Sequence, residues 1–336
     1  MNLILSCKRN NVKDNSGQGF TVVTINNYHD KTIPFSEFST RIDTIELQTN
    51  PYFMGEILDF CMSDSLLYVI DMNGAAWIFK TSSGNLVKRI HRIGHGRGEY
   101  TSIQAVTSKD SLVYLLDGSS GLVLEHDFML NYKRSFHLNF PAVDFIKVNN
   151  GFLFCNLATT SDMHRLIYTD NFGKIENSYI PSDLELDMLY AMKTFTADEN
   201  GNAFFLEPFS NDIYRWTGKE PQLVFHTDYG KNGYSNSAKK SSEITKSGKA
   251  FNATFFVFKD YLINSFFQED VRYYSLNKLD GSSHLQGLID TTECIPFYPT
   301  GQYKDGLIGI YNVSDLGKWK PKKDSCDAAL FIFHLK

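Results

Sequence analysis

Ser63–Asp71 reads SDSLLYVID, and 46 residues later Lys109–Asp117 reads KDSLVYLLD. Each is an Asp-Ser turn followed by an unbroken apolar run and a closing aspartate. A tight hairpin entering a buried strand has this form: Asp and Ser bond their own backbone in turns, while branched and aromatic side chains suit a pleated, buried surface. Weaker copies follow as NGFLF from Asn150, NGNAFF from Asn200, DYLI from Asp260 and DGLIGI from Asp305. The anchors Asp64, Asp110, Asn150, Asn200, Asp260 and Asp305 stand 46, 40, 50, 60 and 45 residues apart. A period of about 48 residues is that of one propeller blade.

A second strand-like run follows each anchor: 75–81, 121–127, 164–170, 211–217, 271–277 and 328–335. Five of these are followed by a turn and a more polar strand, at 85–93, 131–139, 174–181, 221–228 and 283–290. The sixth has none, because the chain ends at Lys336. Arg41–Thr49, RIDTIELQT, alternates apolar and polar residues ahead of the first repeat and has no partner of its own. If it supplies the missing outer strand, every sheet has four strands and the two ends of the chain meet in one blade, which leaves only short, protected edges. A solenoid would end in a polar cap, whereas Ala328–Leu335 is apolar. The sequence therefore predicts an all-β, six-bladed β-propeller of four-stranded antiparallel blades over 35–336. Residues 41–49 close the last blade, and 1–34 form a flexible tether.

Composition agrees. Phe (27) and Tyr (18) are abundant and Pro (9) is scarce, which favours strands. A net charge of −5 offers no basic field for nucleic acid. No run of apolar residues reaches the roughly 18–20 of a membrane helix. The start, MNLILSCKRN, places Leu5-Ser6 before Cys7 as in a bacterial lipoprotein signal, with a polar stretch behind it like a tether. Its apolar run is shorter than the roughly 7–15 residues of a signal core, so the match requires a start further upstream. Cys7 is the expected lipidation site and would be the only membrane attachment. Cys61 and Cys155 sit in apolar runs as buried thiols, and Cys294 with Cys326 is the one pairing considered.

The segment RIGHGRGEYTSI, Arg92–Ile103, has glycines at 94, 96 and 98. A Rossmann turn needs G-x-G-x-x-G before a helix and a P-loop needs Lys-Ser/Thr; here a strand-like TSIQAV follows instead. The glycines read as an interblade crossover. With its six blades, the lipobox-like start, this GxGxGEY segment and PFYPTG at Pro296–Gly301, the chain resembles the six-bladed, TolB-like and NHL-like propeller lipoproteins of Bacteroidetes, over roughly residues 35–336. That resemblance implies the cell envelope and a binding role more firmly than any reaction.

Propeller ligands sit at the channel mouth, so candidate binding residues are those at or before the innermost strands: Glu56, Arg97, Glu99, Tyr100, Asp144, Lys193, Asn252 and Tyr298. The expected function is noncatalytic binding of a glycan, peptide or envelope protein, without a cofactor. The alternative is a lactonase-like hydrolase holding a divalent cation such as calcium on Glu56, Asp144 and Asn252, a set that could equally cap strand entries. Asp198, Asn200 and Asn202 have oxygen-ligand spacing, but the twelfth loop position is Phe209 rather than a glutamate. A hairpin turn is the simpler reading. His126 and His334 fall in third strands, away from any channel. Two insertions stand out. Pro181–Met192 carries Ser182 and Glu185 at capping-box spacing, which predicts a short helix. Tyr229–Phe251 carries Lys231, Lys239, Lys240, Lys246 and Lys249, either a basic lid for an anionic ligand or a solvated loop.

Overall fold

A computed structural model of the chain describes all residues except 1–10, 14–18, 64, 158–162, 188–192, 235–237, 259, 291–295, 304–305, 318 and 323–325. Cys7 and Cys294 lie outside the described residues. The fold is all-β: six small, mostly antiparallel sheets that form the blades of a six-bladed β-propeller.

Before the first blade come β1 (Asn11–Lys13), β2 (Gly19–Thr24), β3 (Thr32–Ile33), the single turn α1 (Phe35–Phe38) and β4 (Ser39–Gln48). Blade 1 is β5 (Ile57–Met62), β6 (Leu66–Asp71), β7 (Ala76–Lys80) and β8 (Leu86–Ile90). Blade 2 is β9 (Ala105–Lys109), β10 (Leu112–Asp117), β11 (Leu122–Asp127) and β12 (Tyr132–His137). Blade 3 is β13 (Ala142–Val148), β14 (Gly151–Asn156), β15 (His164–Thr169) and β16 (Ile175–Pro181). Blade 4 is β17 (Phe195–Ala197), β18 (Ala203–Leu206), β19 (Asp212–Trp216) and β20 (Pro221–Asp228). The helix α2 (Ser241–Lys246) precedes blade 5, which is β21 (Phe251–Phe258), β22 (Tyr261–Gln268), β23 (Val271–Lys278) and β24 (His284–Ile289). Blade 6 has β25 (Gly301–Tyr303), β26 (Gly306–Asn312) and β27 (Cys326–Leu335), with β4 as its outer strand.

The β4–β27 ladder runs antiparallel from Gln48 opposite Cys326 to Ser39 opposite Leu335, so the N-terminal strand closes the last blade as its alternating pattern predicts. Leu47 from β4 and Leu330 from β27 are fully buried with Trp77 and Phe79 of blade 1.

The chain divides into two compact units, Ser39–Pro181 with Thr291–Lys336, and Met1–Phe38 with Ser182–Asp290. The first holds blades 1, 2, 3 and 6, where the leading strands pack side by side, β25 on β5, β5 on β9 and β9 on β13. The second holds blades 4 and 5, and here the expectation of a tether to residue 34 is corrected. Gly19–Thr24 pairs in parallel with the outer strand of blade 4, from Thr21 opposite Phe225 to Thr24 opposite Asp228. Thr32 and Ile33 pair in parallel with Leu288 and Ile289 of blade 5. Val23, Ile25, Tyr28 and Ile33 are buried, the first three in the core of this unit. An outer strand left with an open ladder is a liability, and the arm covers two of them.

A second correction concerns the insertions. Ser182–Asp187 is extended, not helical: Glu185 N–H donates to Lys239 O at 2.8 Å, and Ser241 N–H donates to Glu185 O at 2.9 Å. Leu184 and Leu186 pack against Phe209, Ile244 and Phe251. The alternation of leucines with Asp183, Glu185 and Asp187 is a period of two, and burial of one face of it outweighs the capping-box spacing. Residues 188–192 lie outside the described ones. Asp187 instead caps α2, which has no side-chain cap of its own. Its carboxylate accepts from Ser242 N–H at 2.9 Å, Ser242 Oγ at 2.6 Å and Ser241 Oγ at 3.0 Å, and the Ser242 bonds lead in holding it down at about 2. Lys239 bonds Asp183, and Lys240 lies 3.3 Å from Glu185. The anion that meets these two lysines of the basic insertion is thus the chain's own acidic segment.

Cys326 is a free, buried thiol that donates to Ala328 O at 3.1 Å, and Cys294, the partner considered for it, lies outside the described residues. Cys61 and Cys155 are thiols rather than disulfides, Cys155 buried and Cys61 half-buried. Asp198 accepts from the N–H groups of Asn200 and Asn202 at 2.9 and 2.8 Å, which is a hairpin turn.

Candidate functional site

In an antiparallel blade, the turn between the second and third strands lies at the same end as the crossover to the next blade. In the unit of blades 6, 1, 2 and 3, that end gathers the segment 49–56, the turn Asp71–Gly74 and the crossover 91–104. Buried aspartates tie them together. Asp71, which ends β6 and is fully buried, accepts from Gly55 N–H at 3.1 Å, Ala75 N–H at 2.9 Å and the Trp77 indole N–H at 3.0 Å. Asp117, at the same place in blade 2, accepts from Thr101 N–H at 2.6 Å, Thr101 Oγ1 at 2.8 Å and Ser120 N–H at 3.1 Å. Burial alone would push its carboxyl up, but the bonds from Thr101 and Ser120 hold it below the usual range. In blade 6 the same place is Asn312, which accepts from Ile57 N–H at 3.3 Å and donates to Gly55 O at 3.0 Å. These closing residues were visible in the sequence as the final Asp of SDSLLYVID and KDSLVYLLD, yet their role as clamps on the incoming crossover needed the fold.

On this clamped end, large apolar side chains are left in solvent. Tyr52 and Phe53 project from 49–56, Met72 from the turn, and Ile93 from the crossover; Phe53 is 75% exposed and Met72 61%. Leu58 is the bulged residue of β5, set out of the ladder between Ile57 and Asp59. Tyr298, half-exposed just before β25, donates its N–H to Tyr311 Oη at 2.8 Å, one residue from the Asn312 clamp. The segments touch one another. Met72 N–H donates to Glu56 O at 2.8 Å, and Ile93 packs so closely on Gly74 that a Cβ there would meet it at 2.7 Å. The Arg89 guanidinium lies 4.9 Å from the centre of the Tyr52 ring and 5.0 Å from that of Trp77. Large exposed apolar patches are the kind of surface that interaction sites present, and these side chains stand on segments that touch one another.

The residues singled out by sequence fall into four groups. Glu56, Arg97 and Tyr298 are exposed at this end; Arg97 stacks 5.7 Å from the Tyr132 ring centre. Glu99 and Tyr100 build the crossover itself. Glu99 Oε2 accepts Gly96 N–H at 2.8 Å, and Gly98, at φ +73°, leaves no room for a Cβ, which would meet Tyr132 at 2.8 Å. Tyr100 is 1% exposed, donates to Gly74 O at 2.9 Å and accepts from Arg92 N–H at 3.2 Å; burial raises its phenol above the ordinary value. Asp144 is buried and accepts Phe145 N–H at 2.8 Å, a strand-entry contact. Lys193, half-buried, and Asn252 belong to the other unit. Asn252 is fully buried, its Oδ1 taken by Tyr229 Oη at 2.5 Å and Asn264 Nδ2 at 3.1 Å, so the amide oxygen already serves two donors. His126, in β11, is 1% exposed against the Tyr132 ring, and burial pulls it down to about 4. His334 Nε2 lies 2.8 Å from Asp43 Oδ2.

Fold and face together define a six-bladed propeller with a clamped, apolar crossover end. Residues 20–329 match the family described as a domain of unknown function, DUF4934, and the chain belongs to that family. No curated protein matches the sequence. Among solved structures it is similar to a protein of Bacteroides fragilis NCTC 9343 assigned as exported, at 14% identity and a TM-score of 0.77 over 94% of this chain and 100% of that one. It is also similar to a DUF4221 family member from Bacteroides vulgatus, at 10% identity and a TM-score of 0.57 over 89% of this chain and 97% of that one. At these identities the likeness is one of fold.

Proposed function

We propose that the protein is a noncatalytic binding propeller of the bacterial cell envelope that holds a partner on the crossover face of blades 6, 1 and 2. The observation that carries this reading is the set of exposed Tyr52, Phe53, Met72 and Ile93 side chains on segments fixed from beneath, the first three by Asp71 and the crossover with Ile93 by Tyr100. Aromatic side chains held on a rigid support lose little freedom on binding, and aromatic and methionine side chains are both enriched at protein interfaces. The envelope location is supported by the exported assignment of the Bacteroides fragilis protein of like fold and by the lipobox-like residues before Cys7. A lipid anchor on Cys7 completes the reading. One acyl chain gives only marginal attachment, so the cysteine must be multiply acylated.

The test is site-specific photo-crosslinking in the producing cell, with a benzophenone side chain at position 53 and, as control, at Phe172. That residue is 68% exposed in the turn between the last two strands of blade 3, at the other end of the blades. A discrete adduct is expected from position 53 alone and should be lost in Met72→Ser with Ile93→Ser. Equal adducts at both positions, or none at 53, would overturn the proposal. A fatty-acid analogue should label the full-length product and not Cys7→Ala; an unlabelled wild type removes the anchor.

A further inference from the structure

We infer that the partner presents an acidic, apolar protein segment to this face, an inference that rests on the docking reading above. The whole chain is acidic, with a net charge of −5. The crossover beside the apolar patch has the opposite character. Within 91–100, Arg92, Arg97, His91 and His95 are exposed. Its one acid, the half-buried Glu99, folds back on the loop, its carboxylate bonded to Gly96 N–H at 2.8 Å. Arg89 adds a third guanidinium against Tyr52, and Asp71 beneath is sealed from solvent. Among the described residues at this end, Glu56 and Asp315 are exposed acids, set against exposed Arg92, Arg97, Lys320 and Lys322 and half-buried Arg89.

The loop that displays these charges is held still. Tyr100 fixes it from both sides, donating to Gly74 and accepting from Arg92, and Gly98 seats it on Tyr132. Arginine on a fixed support forms forked bonds to carboxylates with less loss of freedom than lysine, and 91–100 contains no lysine. The pairing of aromatic and methionine anchors with arginine is the chemistry enriched at protein interfaces. Charge of one sign around an apolar centre selects partners of the other sign and speeds their encounter. An acidic membrane surface shares the charge requirement but not the need for geometrically fixed forks.

The crosslink at position 53 gives the test, through mass-spectrometric mapping of the residue captured. Within a few residues of that point the partner should carry an excess of Asp and Glu beside a Phe, Leu, Ile or Met. Arg92→Glu with Arg97→Glu should lower the adduct yield at least tenfold. Arg92→Lys with Arg97→Lys should keep part of it, and melting curves should show that both variants fold. Capture of a basic or neutral segment, a lipid adduct, or a yield indifferent to charge reversal would overturn the inference while leaving the docking reading in place. Absence of any adduct at 53 would remove both.

Discussion

Replacing Asp71 should be among the most damaging single changes available to this chain, because one buried carboxylate serves three donors. Asp71→Ala strands the N–H groups of Gly55 and Ala75 and the Trp77 indole N–H in a site with no solvent exposure. A hydrogen bond to a charged acceptor contributes about 1.5–3 kcal/mol, and a buried donor left unmet costs about 1–3 kcal/mol. Contributions of neighbouring groups do not add fully, and water can enter the space left by the carboxylate. The expected loss is therefore about 3–5 kcal/mol, in the range that marks a broken buried network. Asp71→Asn keeps one oxygen. Placed where Oδ2 stands, that oxygen can still serve Gly55 and Trp77, but the amide then points its own N–H at Ala75, so the loss should be smaller, about 1.5–3 kcal/mol. Urea unfolding followed by tryptophan fluorescence should give midpoints in the order wild type, Asn, Ala, with little change in slope. The Ala variant should also weaken crosslinking from position 53, since Gly55 is the clamp on the segment that carries Phe53. An Ala variant within about 1 kcal/mol of wild type would refute the clamp.

Other consequences concern separate parts of the molecule. His126 is buried and titrates at about 4 instead of 6.5, with burial the main cause; Leu124 O and Asp127 oppose the shift, while Arg92 and Lys88 add to it. Above pH 6.5 neither state holds the proton and His126 adds no pH dependence. Below it the unfolded chain takes up the proton and the folded chain does not until about pH 4, so stability falls by about 3 kcal/mol across that window. Urea midpoints at pH 7 and pH 4.5 should converge in His126→Gln; equal acid sensitivity in the two proteins would contradict this. Gly98→Ala should melt well below Gly218→Ala, since both have positive φ but only the first sets its new Cβ 2.8 Å from another side chain. Equal melting temperatures would show that the Tyr132 contact is soft. Asp187→Ala should raise hydrogen exchange across 239–247 and leave distant strands unchanged; in the wild type this protection should persist on acidification until the carboxyl protonates near pH 2.

How much of this was legible depended on the length scale. The six anchors, the polar outer strands and the closing strand at 41–49 follow from apolar period and turn residues, and the structure sets β4 at Ser39–Gln48. The arm escaped notice because Gly19–Thr24, GFTVVT, is a single short strand whose partner lies about 200 residues away, and pattern alone names no partner. Ser182–Asp187 carried two signals, S-x-x-E spacing and leucine alternation, and the local one was misleading because tertiary burial decided between them. For the face, the same stretch that suggested channel-mouth residues, RIGHGRGEY, contains both its scaffold and its display. Tyr100 is buried and Glu99 folds back on the loop, whereas Arg92, Ile93 and Arg97 are exposed. Sequence gives residue type, but which side a crossover residue faces is fixed by the turn it packs on, here Gly74.

The most direct measurement of the central claim is hydroxyl-radical footprinting of the protein in intact cells against the purified chain. Tyr52, Phe53, Met72 and Tyr298 are exposed and oxidisable, as are Phe128 and Phe172 in turns at the other end of the blades. If the crossover face carries a partner, the first four should be strongly protected in the cell while Phe128 and Phe172 label equally in both samples. Equal labelling of Phe53 and Met72 in cells and in isolation would contradict the account.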